Sequence, residues 1–311
     1  MRIFVTGASG WIGSAVVPEL MRAGHHVVAL ARSDASASAL ANAGVEVERG
    51  DLADLETLAK LAASSDGVIH LAFRHESMRS PEGFAAAIDA DRKAIDALGR
   101  ALEGSGRPLV IASGTPAVPG QVATERDEPA SAGPAAGRAA NATATVALAN
   151  RGVRSSVVRL PRSVHGAGDL HGFVPRMIAT ARQTGVSGYV GDGSSRWPAV
   201  HVVDAARLFR MAIENAPAGA VLHAVGDAGV PTREMAAAIG RRLNLAAAPV
   251  PPEHFGFPLG TILATDQPAS GAATTQLLGW LPSELGLIED IESGHYFEVT
   301  AGSRPASPTR R

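Results

Sequence analysis

The stretch Thr6-Gly7-Ala8-Ser9-Gly10-Trp11-Ile12-Gly13 decides how the rest of the chain is read. It follows the apolar, strand-forming run Ile3-Phe4-Val5 and precedes an amphipathic stretch, 11–23, with helical periodicity. In such a strand-to-helix turn Gly7 permits the tight bend, Gly10 lets backbone approach a pyrophosphate with no Cβ in the way, and Gly13 lets the helix pack on the strand. The open amides of the helix start then face phosphate without any cationic side chain. Glycine-rich turns of this kind also arise for packing alone. The first-turn position, with a second strand about 20 residues further on, favours a dinucleotide.

Outward from this turn, short β-branched runs alternate with longer alanine-rich helical patterns, which is the rhythm of βαβ units in a parallel sheet buried on both faces. Strands are expected at 3–6, 26–31, 45–49, 67–71, 109–112 and 155–160, and helices at 11–23, 54–63, 81–102 and 135–151. Beyond Leu160, glycine turns at 166–168 and 191–193 loosen the rhythm. A strand at 199–203, a helix at 204–214, a strand at 221–225, a helix at 233–243 with Thr232 as its N-cap, and short helices at 272–278 and 287–293 follow. The fold class expected is α/β, a Rossmann-type doubly wound parallel sheet with a smaller C-terminal substrate lobe. Residues 1–160, joined by 199–225, form the dinucleotide domain; 161–198 and 226–300 form the lobe; 301–311 form a disordered tail. The stretch 116–137, rich in Pro, Gly, Ala and Ser, reads as a mobile loop.

Composition narrows the function. The 311 residues carry a formal net charge of −2 and no basic run longer than pairs such as Arg241-Arg242 and Arg310-Arg311, which disfavours a nucleic-acid partner. No cysteine occurs, so disulfides, thiolate metal sites and a cysteine nucleophile are excluded. The N-terminal apolar run is too short for a signal core, and no stretch nears the roughly 18 apolar residues of a spanning helix. The expectation is an untargeted, cytoplasmic protein with a small-molecule substrate and no membrane partner, a homodimer being left open. The histidines His70, His75, His165, His171 and His201 lie on different elements without paired spacing, so no metal site is expected.

The second strand ends in Ala31-Arg32-Ser33. An NAD site places a carboxylate here for the ribose 2′-hydroxyl, whereas Arg32 would pair with a 2′-phosphate. NADP is therefore the expected cofactor, with NAD admitted. The alternative makes Arg32 a solvated loop residue and has Asp34 reach the ribose. Asp51, followed by Leu52, would accept from the adenine amino group or cap the next helix.

These features resemble the extended or atypical branch of the short-chain dehydrogenase/reductase superfamily, which includes NAD(P)-dependent epimerase/dehydratase-like proteins. The resemblance rests on the glycine turn, Gly50-Asp51-Leu52, Val68-Ile69-His70-Leu71-Ala72, Ile111-Ala112-Ser113-Gly114-Thr115, Arg159 to Gly166 and Ala199 to Asp204, in the family's order. Leu278-Gly279-Trp280-Leu281-Pro282 also fits. The resemblance implies that Leu71, Ala72 and Phe73 pass the riboses, that Pro161, Ser163 and Val164 flank the nicotinamide, and that Ser113 sits beside the reacting oxygen; otherwise Ser113 is a hydroxyl ending a strand.

One departure weighs on the chemistry. At the positions of the family's Tyr-x-x-x-Lys pair stand Pro134 and Arg138, and the chain's two tyrosines, Tyr189 and Tyr296, have Gly193 and Thr300 four residues on. Arg138 can hold the nicotinamide ribose, or stand solvated at a helix start, but a guanidinium is a poor proton carrier. Losing a general acid costs about two to four powers of ten in rate. His165, in the turn beside the expected nicotinamide, can exchange a proton or simply be hydrogen-bonded there. His75 would overhang the substrate or lie in a surface loop. Arg196, Trp197 and His201 would give the lobe a wall and an anion contact, or else serve as a core anchor and a satisfied strand residue. The function expected is an NADP-dependent oxidoreductase of small carbonyl or hydroxyl compounds using Ser113, Arg138 and His165. The alternatives are an NADP(H)-binding sensor, or an epimerase or dehydratase.

Overall fold

The computed structural model describes residues 1–75, 80–129, 131–133 and 136–298. The first half runs β1 (Arg2–Thr6), α1 (Trp11–Arg22), β2 (His26–Ala31), α2 (Asp34–Asn42), β3 (Glu46–Arg49), α3 (Leu55–Ala63), β4 (Gly67–His70), α4 (Pro81–Leu102), β5 (Pro108–Gly114), α5 (Ala136–Ala147) and β6 (Arg154–Leu160). The second runs β7 (Ser163–His165), α6 (Phe173–Thr184), β8 (Ser187–Val190), β9 (Arg196–His201), α7 (Val202–Asn215), β10 (Ala220–His223), β11 (Asp227–Pro231), α8 (Thr232–Leu243), β12 (Ala247–Val250), α9 (Leu259–Leu263), α10 (Ala272–Leu278) and α11 (Leu287–Ser293).

Side-chain alternation on β1 explains the layers. Ile3 and Val5 face a core shared with Val16, Leu20, Phe209 and Ile213 of α1 and α7, whereas Phe4 faces Leu58, Ile95, Leu98 and Leu102 of α3 and α4. Between them lies a seven-stranded parallel sheet in the order β10-β6-β5-β4-β1-β2-β3. The chain winds outward from β1 to β3 and then returns to β4 on the other side of β1. That reversal opens a crevice at the carboxyl ends of β1 and β4. The expected doubly wound α/β sheet is the observed one.

A third apolar cluster, with Trp197, Met177, Ile178, Met235, Ile239, Leu287 and Ile291, sits among α6, α8, α11 and the sheet β11-β9-β7. The segments at 199–204 and 278–282 meet instead at the first core, which Val200 and Trp280 join. Asp204 accepts from the Ser283 amide at 3.1 Å, and the Trp280 indole donates to the Asp204 carbonyl at 3.0 Å.

Several expectations need correction. Strand 199–203 is instead Arg196–His201, and Val202 and Val203 already belong to α7, because the His201 ring Nδ1 accepts from the Val203 amide at 3.3 Å and caps the helix. Thr232 is not an N-cap: Pro231 holds that position, and the Thr232 hydroxyl is buried inside the first turn without a partner. Helix α2 went unforeseen because its Ala/Ser sequence is barely amphipathic; Ser33 and Ser36 cap it reciprocally. Asp51 does not cap the following helix, which Asp54 does through the Thr57 amide at 3.1 Å. The described part of 116–137 is pinned at its middle: Ala123 exchanges hydrogen bonds with Pro268 and Ser270 at 2.9 and 2.8 Å, and the Arg159 guanidinium donates to the Asp127 carbonyl at 2.8 Å. Pro134 and the tail 301–311 lie outside the described residues.

Candidate functional site

The crevice is a cleft of about 490 Å³ over the carboxyl ends of β4, β1, β2 and β3. Its floor is the glycine turn. Gly7 has φ +72°, and a Cβ on it would lie 2.6 Å from the Ala72 amide nitrogen; a Cβ on Gly13 would lie 2.2 Å from the Gly7 carbonyl oxygen. Both positions therefore require glycine, and Leu71 and Ala72 run directly against the turn. Helix α1 opens at Gly10 with no side-chain cap and no acidic residue in its first turn. Its amides stay available to an anion, and no acidic residue in its first turn opposes one.

The expected cofactor residues Gly7, Gly10, Trp11, Ile12, Gly13, Arg32, Ser33, Asp51, Leu52, Leu71, Ala72 and Phe73 all line this cleft. Arg32 and Ser33 stand at the end of β2, beside the opening of α2. Asp34 does not line the cleft; its carboxylate is 3.0 Å from the Arg49 guanidinium and its side chain is 98% exposed. Sequence reasoning missed Ser36 and Arg74 as lining residues. The Ser33-x-x-Ser36 spacing was a usable sign for the first. Nothing local flagged Arg74, whose guanidinium pairs with the Asp51 carboxylate across the cleft. His75 lines the cleft too, edge-on to Phe73 with 5.1 Å between ring centroids.

Ser113, Arg138, Pro161, Ser163 and Val164 fall outside that lining, towards the next strand ends of the sheet. Two contacts join them to it. The Arg138 guanidinium lies 4.0 Å over the Phe73 ring and donates to the Ala112 carbonyl at 2.9 Å, next to Ser113. The Trp11 indole donates to the Val164 carbonyl at 2.8 Å, tying β7 to the glycine turn. Ser113 is half-buried at the carboxyl end of β5 and Pro161 is buried. The Ser163 hydroxyl accepts from the Trp197 indole at 2.9 Å. Trp197 is fully buried, the core anchor rather than a wall, and Arg196 is turned to Asp266 at 2.8 Å.

Behind Arg138 runs a buried polar chain. The Thr6 hydroxyl is 2.8 Å from His70 Nδ1, His70 Nε2 is 3.2 Å from Asp91, and the Asn141 amide donates to Asp91 at 2.7 Å. Thr6 Oγ1 also accepts from the Ala72 amide at 3.3 Å; because the Asp91 carboxylate only accepts, His70 Nε2 donates to it, and in the neutral ring Nδ1 then accepts from the Thr6 hydroxyl. Burial alone would raise the Asp91 carboxyl, yet hydrogen bonds from His70 and Asn141 and the charge of Arg138 hold it below its ordinary value. Burial pushes the Arg138 guanidinium down, and Asp91 counters it. The glycine turn and the candidate ribose-binding arginine are thus joined through side chains of β4, α4 and α5.

His165 lies elsewhere. It is fully buried, its Nδ1 is 2.8 Å from Asp290 of α11, its ring is edge-on to His201 at 5.4 Å, and its Nε2 is buried without a partner among the described residues. Burial also pushes Asp290 up, but hydrogen bonds from His165 and His295 leave it below the usual carboxylate range. The structure therefore joins His165 to the C-terminal lobe and keeps it out of the cleft lining.

Comparison with known proteins gives the same class. The profile of the NAD dependent epimerase/dehydratase family matches residues 3–225. A Schizosaccharomyces pombe protein designated C2A9.02 is 45% identical over 96% of this chain and 100% of its own length. The 2-alkyl-3-oxoalkanoate reductase of Stenotrophomonas maltophilia is 33% identical over 71% of this chain and 67% of its own. Among solved structures, MoeE5 in complex with UDP-glucose and NAD superposes with a TM-score of 0.75 at 25% identity, covering 95% of this chain and 97% of that one. The chain belongs to the NAD dependent epimerase/dehydratase family, within the extended short-chain dehydrogenase/reductase group that the motifs resemble. Among the described residues no helix is long and apolar enough to cross a membrane, and no group of three or more His, Asp or Glu side chains is placed to hold a metal ion.

Proposed function

We propose that the protein is an NADP-dependent oxidoreductase acting on a small carbonyl or hydroxyl compound. The observation that carries the preference for NADP is the adenosine end of the cleft: Arg32, not a carboxylate, closes β2, and Asp34 is turned away to Arg49. Support for oxidoreduction comes from the Stenotrophomonas relative, which is named as a reductase. The cradle suits a dinucleotide, since side chains at Gly7 and Gly13 would collide with backbone while the α1 amides stay open. Such a cofactor, when bound, supplies or takes a hydride at its nicotinamide ring.

The chain's own residues then do the rest. Arg138, backed by Asp91 and braced on Phe73, holds the ribose with its fork of donors. Ser113 donates to the substrate oxygen from the end of β5. Pro161, Ser163 and Val164 wall the nicotinamide side, held in place by Trp11 and Trp197. With His165 enclosed against Asp290, the proton reaches the substrate oxygen from water through Ser113. The same enclosure favours one other reading, an NADP(H)-binding sensor, because it removes His165 as the proton donor in a sequence that has no Tyr-x-x-x-Lys pair.

Purified protein with NADPH and a panel of aldehydes and ketones, followed by loss of reduced-cofactor absorbance, is the test. Turnover supports the oxidoreductase. Binding of NADPH with no turnover on any member refutes it in favour of the sensor, and absence of dinucleotide binding refutes both.

A further inference from the structure

The cleft contains an ion pair whose cation, Arg74, neither the glycine turn nor the proposed chemistry uses. Arg74 follows β4 and Asp51 follows β3, and in the sheet these strands are separated by β1 and β2. At about 4.8 Å per strand, the pair spans roughly 14 Å of sheet edge, directly over the strand ends that carry the glycine turn and Arg32. Both side chains are half-buried, about one third exposed in each case (32% and 35%). The Arg74 Nε is buried and has no hydrogen-bond partner among the described residues. A buried donor left open in a ligand cleft is an unmet interaction that a ligand oxygen would satisfy. The strand ends are close together as well: the Gly50 amide donates to the Ala31 carbonyl at 3.2 Å, so Asp51 stands beside Arg32 and not at a distance from it.

The consequence is electrostatic. An anion placed at the end of β2, between Arg32 and the opening of α2, would face the Asp51 carboxylate. A carboxylate there suits a ribose hydroxyl and repels a phosphate, unless a cation neutralises it. Arg74 is that cation. We propose that Arg74 is a second determinant of dinucleotide choice: it cancels Asp51 and offers its remaining donor, Nε, to the 2′-phosphate over the adenosine. This rests on the dinucleotide reading above and goes beyond it, since it assigns the discrimination to a residue on a different strand from Arg32.

Calorimetric titration of the full-length protein with NADPH and with NADH tests it, using wild type, Arg74→Ala, Arg74→Lys and Asp51→Asn, each checked for an unchanged melting temperature. A charge-assisted pair lost with Arg74→Ala weakens NADPH by about tenfold or more and NADH by less than about threefold. Arg74→Lys, which keeps the charge and loses the fork, falls between. Asp51→Asn shifts the preference further towards NADPH. If wild type prefers NADPH and Arg74→Ala moves both dissociation constants by the same factor, or neither, the assignment of Arg74 is overturned while the dinucleotide reading stands. Should wild type bind neither dinucleotide, the proposed function itself falls; should it prefer NADH, both the 2′-phosphate site and the role of Arg74 fall.

Discussion

Replacing Asp91 by alanine tests the buried chain that ties the glycine turn to α5. Three consequences follow from the geometry. His70 Nε2, 3.2 Å from Asp91, loses its acceptor in the core; Asn141 keeps only the Ile88 carbonyl at 3.1 Å; and the largely buried Arg138 loses its negative neighbour. An unsatisfied buried donor costs about 1–3 kcal/mol, and a buried charge stripped of its partner brings the total to about 3–5 kcal/mol. That is a large share of the roughly 5–15 kcal/mol by which a domain is stable. Asp91→Asn keeps an acceptor for His70 but removes the charge, and should cost about 1–2 kcal/mol. Urea unfolding followed by far-UV circular dichroism measures both. The pH dependence has a definite sign. The folded Asp91 carboxyl lies below its ordinary value, so its contribution is present above the unfolded value near about 4 and is lost as pH falls through the folded one. The alanine variant should therefore show a weaker acid destabilisation than wild type. A loss under about 1 kcal/mol for Asp91→Ala, with an unchanged acid limb, would refute the picture of a charged, fully partnered buried chain.

Three further outcomes are expected. Gly13→Ala places a methyl 2.2 Å from the Gly7 carbonyl oxygen, so α1 must shift; dinucleotide affinity should drop by at least about tenfold with a lower melting temperature, and retention of both would discount the tight turn. Arg32→Ala should reduce the NADPH-to-NADH affinity ratio by about tenfold, the worth of one charge-assisted contact, in paired titrations; an unchanged ratio removes Arg32 from cofactor choice. His165→Asn should leave the rate on a good carbonyl substrate within about threefold, since the ring is sealed against Asp290, whereas a fall of about two or more powers of ten would restore His165 as proton carrier.

Much of this molecule was legible residue by residue. Glycine at 7, 10 and 13, the alternation of Ile3, Phe4 and Val5, and the β-branched runs at 26–31 and 155–160 report local conformation and burial on two faces, which depend on near neighbours and on side-chain period. The cofactor floor and the sheet followed from them. Boundaries depending on a competing cap were misjudged: His201 ends β9 by accepting from Val203, and Pro231 displaces Thr232.

What the sequence by itself determined is the parallel sheet, its glycine turn and the set of residues at the strand ends, because these follow from short-range sterics and hydrophobic period. What only the tertiary structure decided is which side chains meet once β4 and β3 stand either side of β1 and β2. That brought Arg74 to Asp51, while the packing of α4 and α5 brought Asp91 to His70 and Asn141, and that of α11 brought Asp290 to His165, 125 positions away along the chain. These long-range hydrogen bonds and ion pairs are set by direction and distance in space, and no spacing along the chain encodes them.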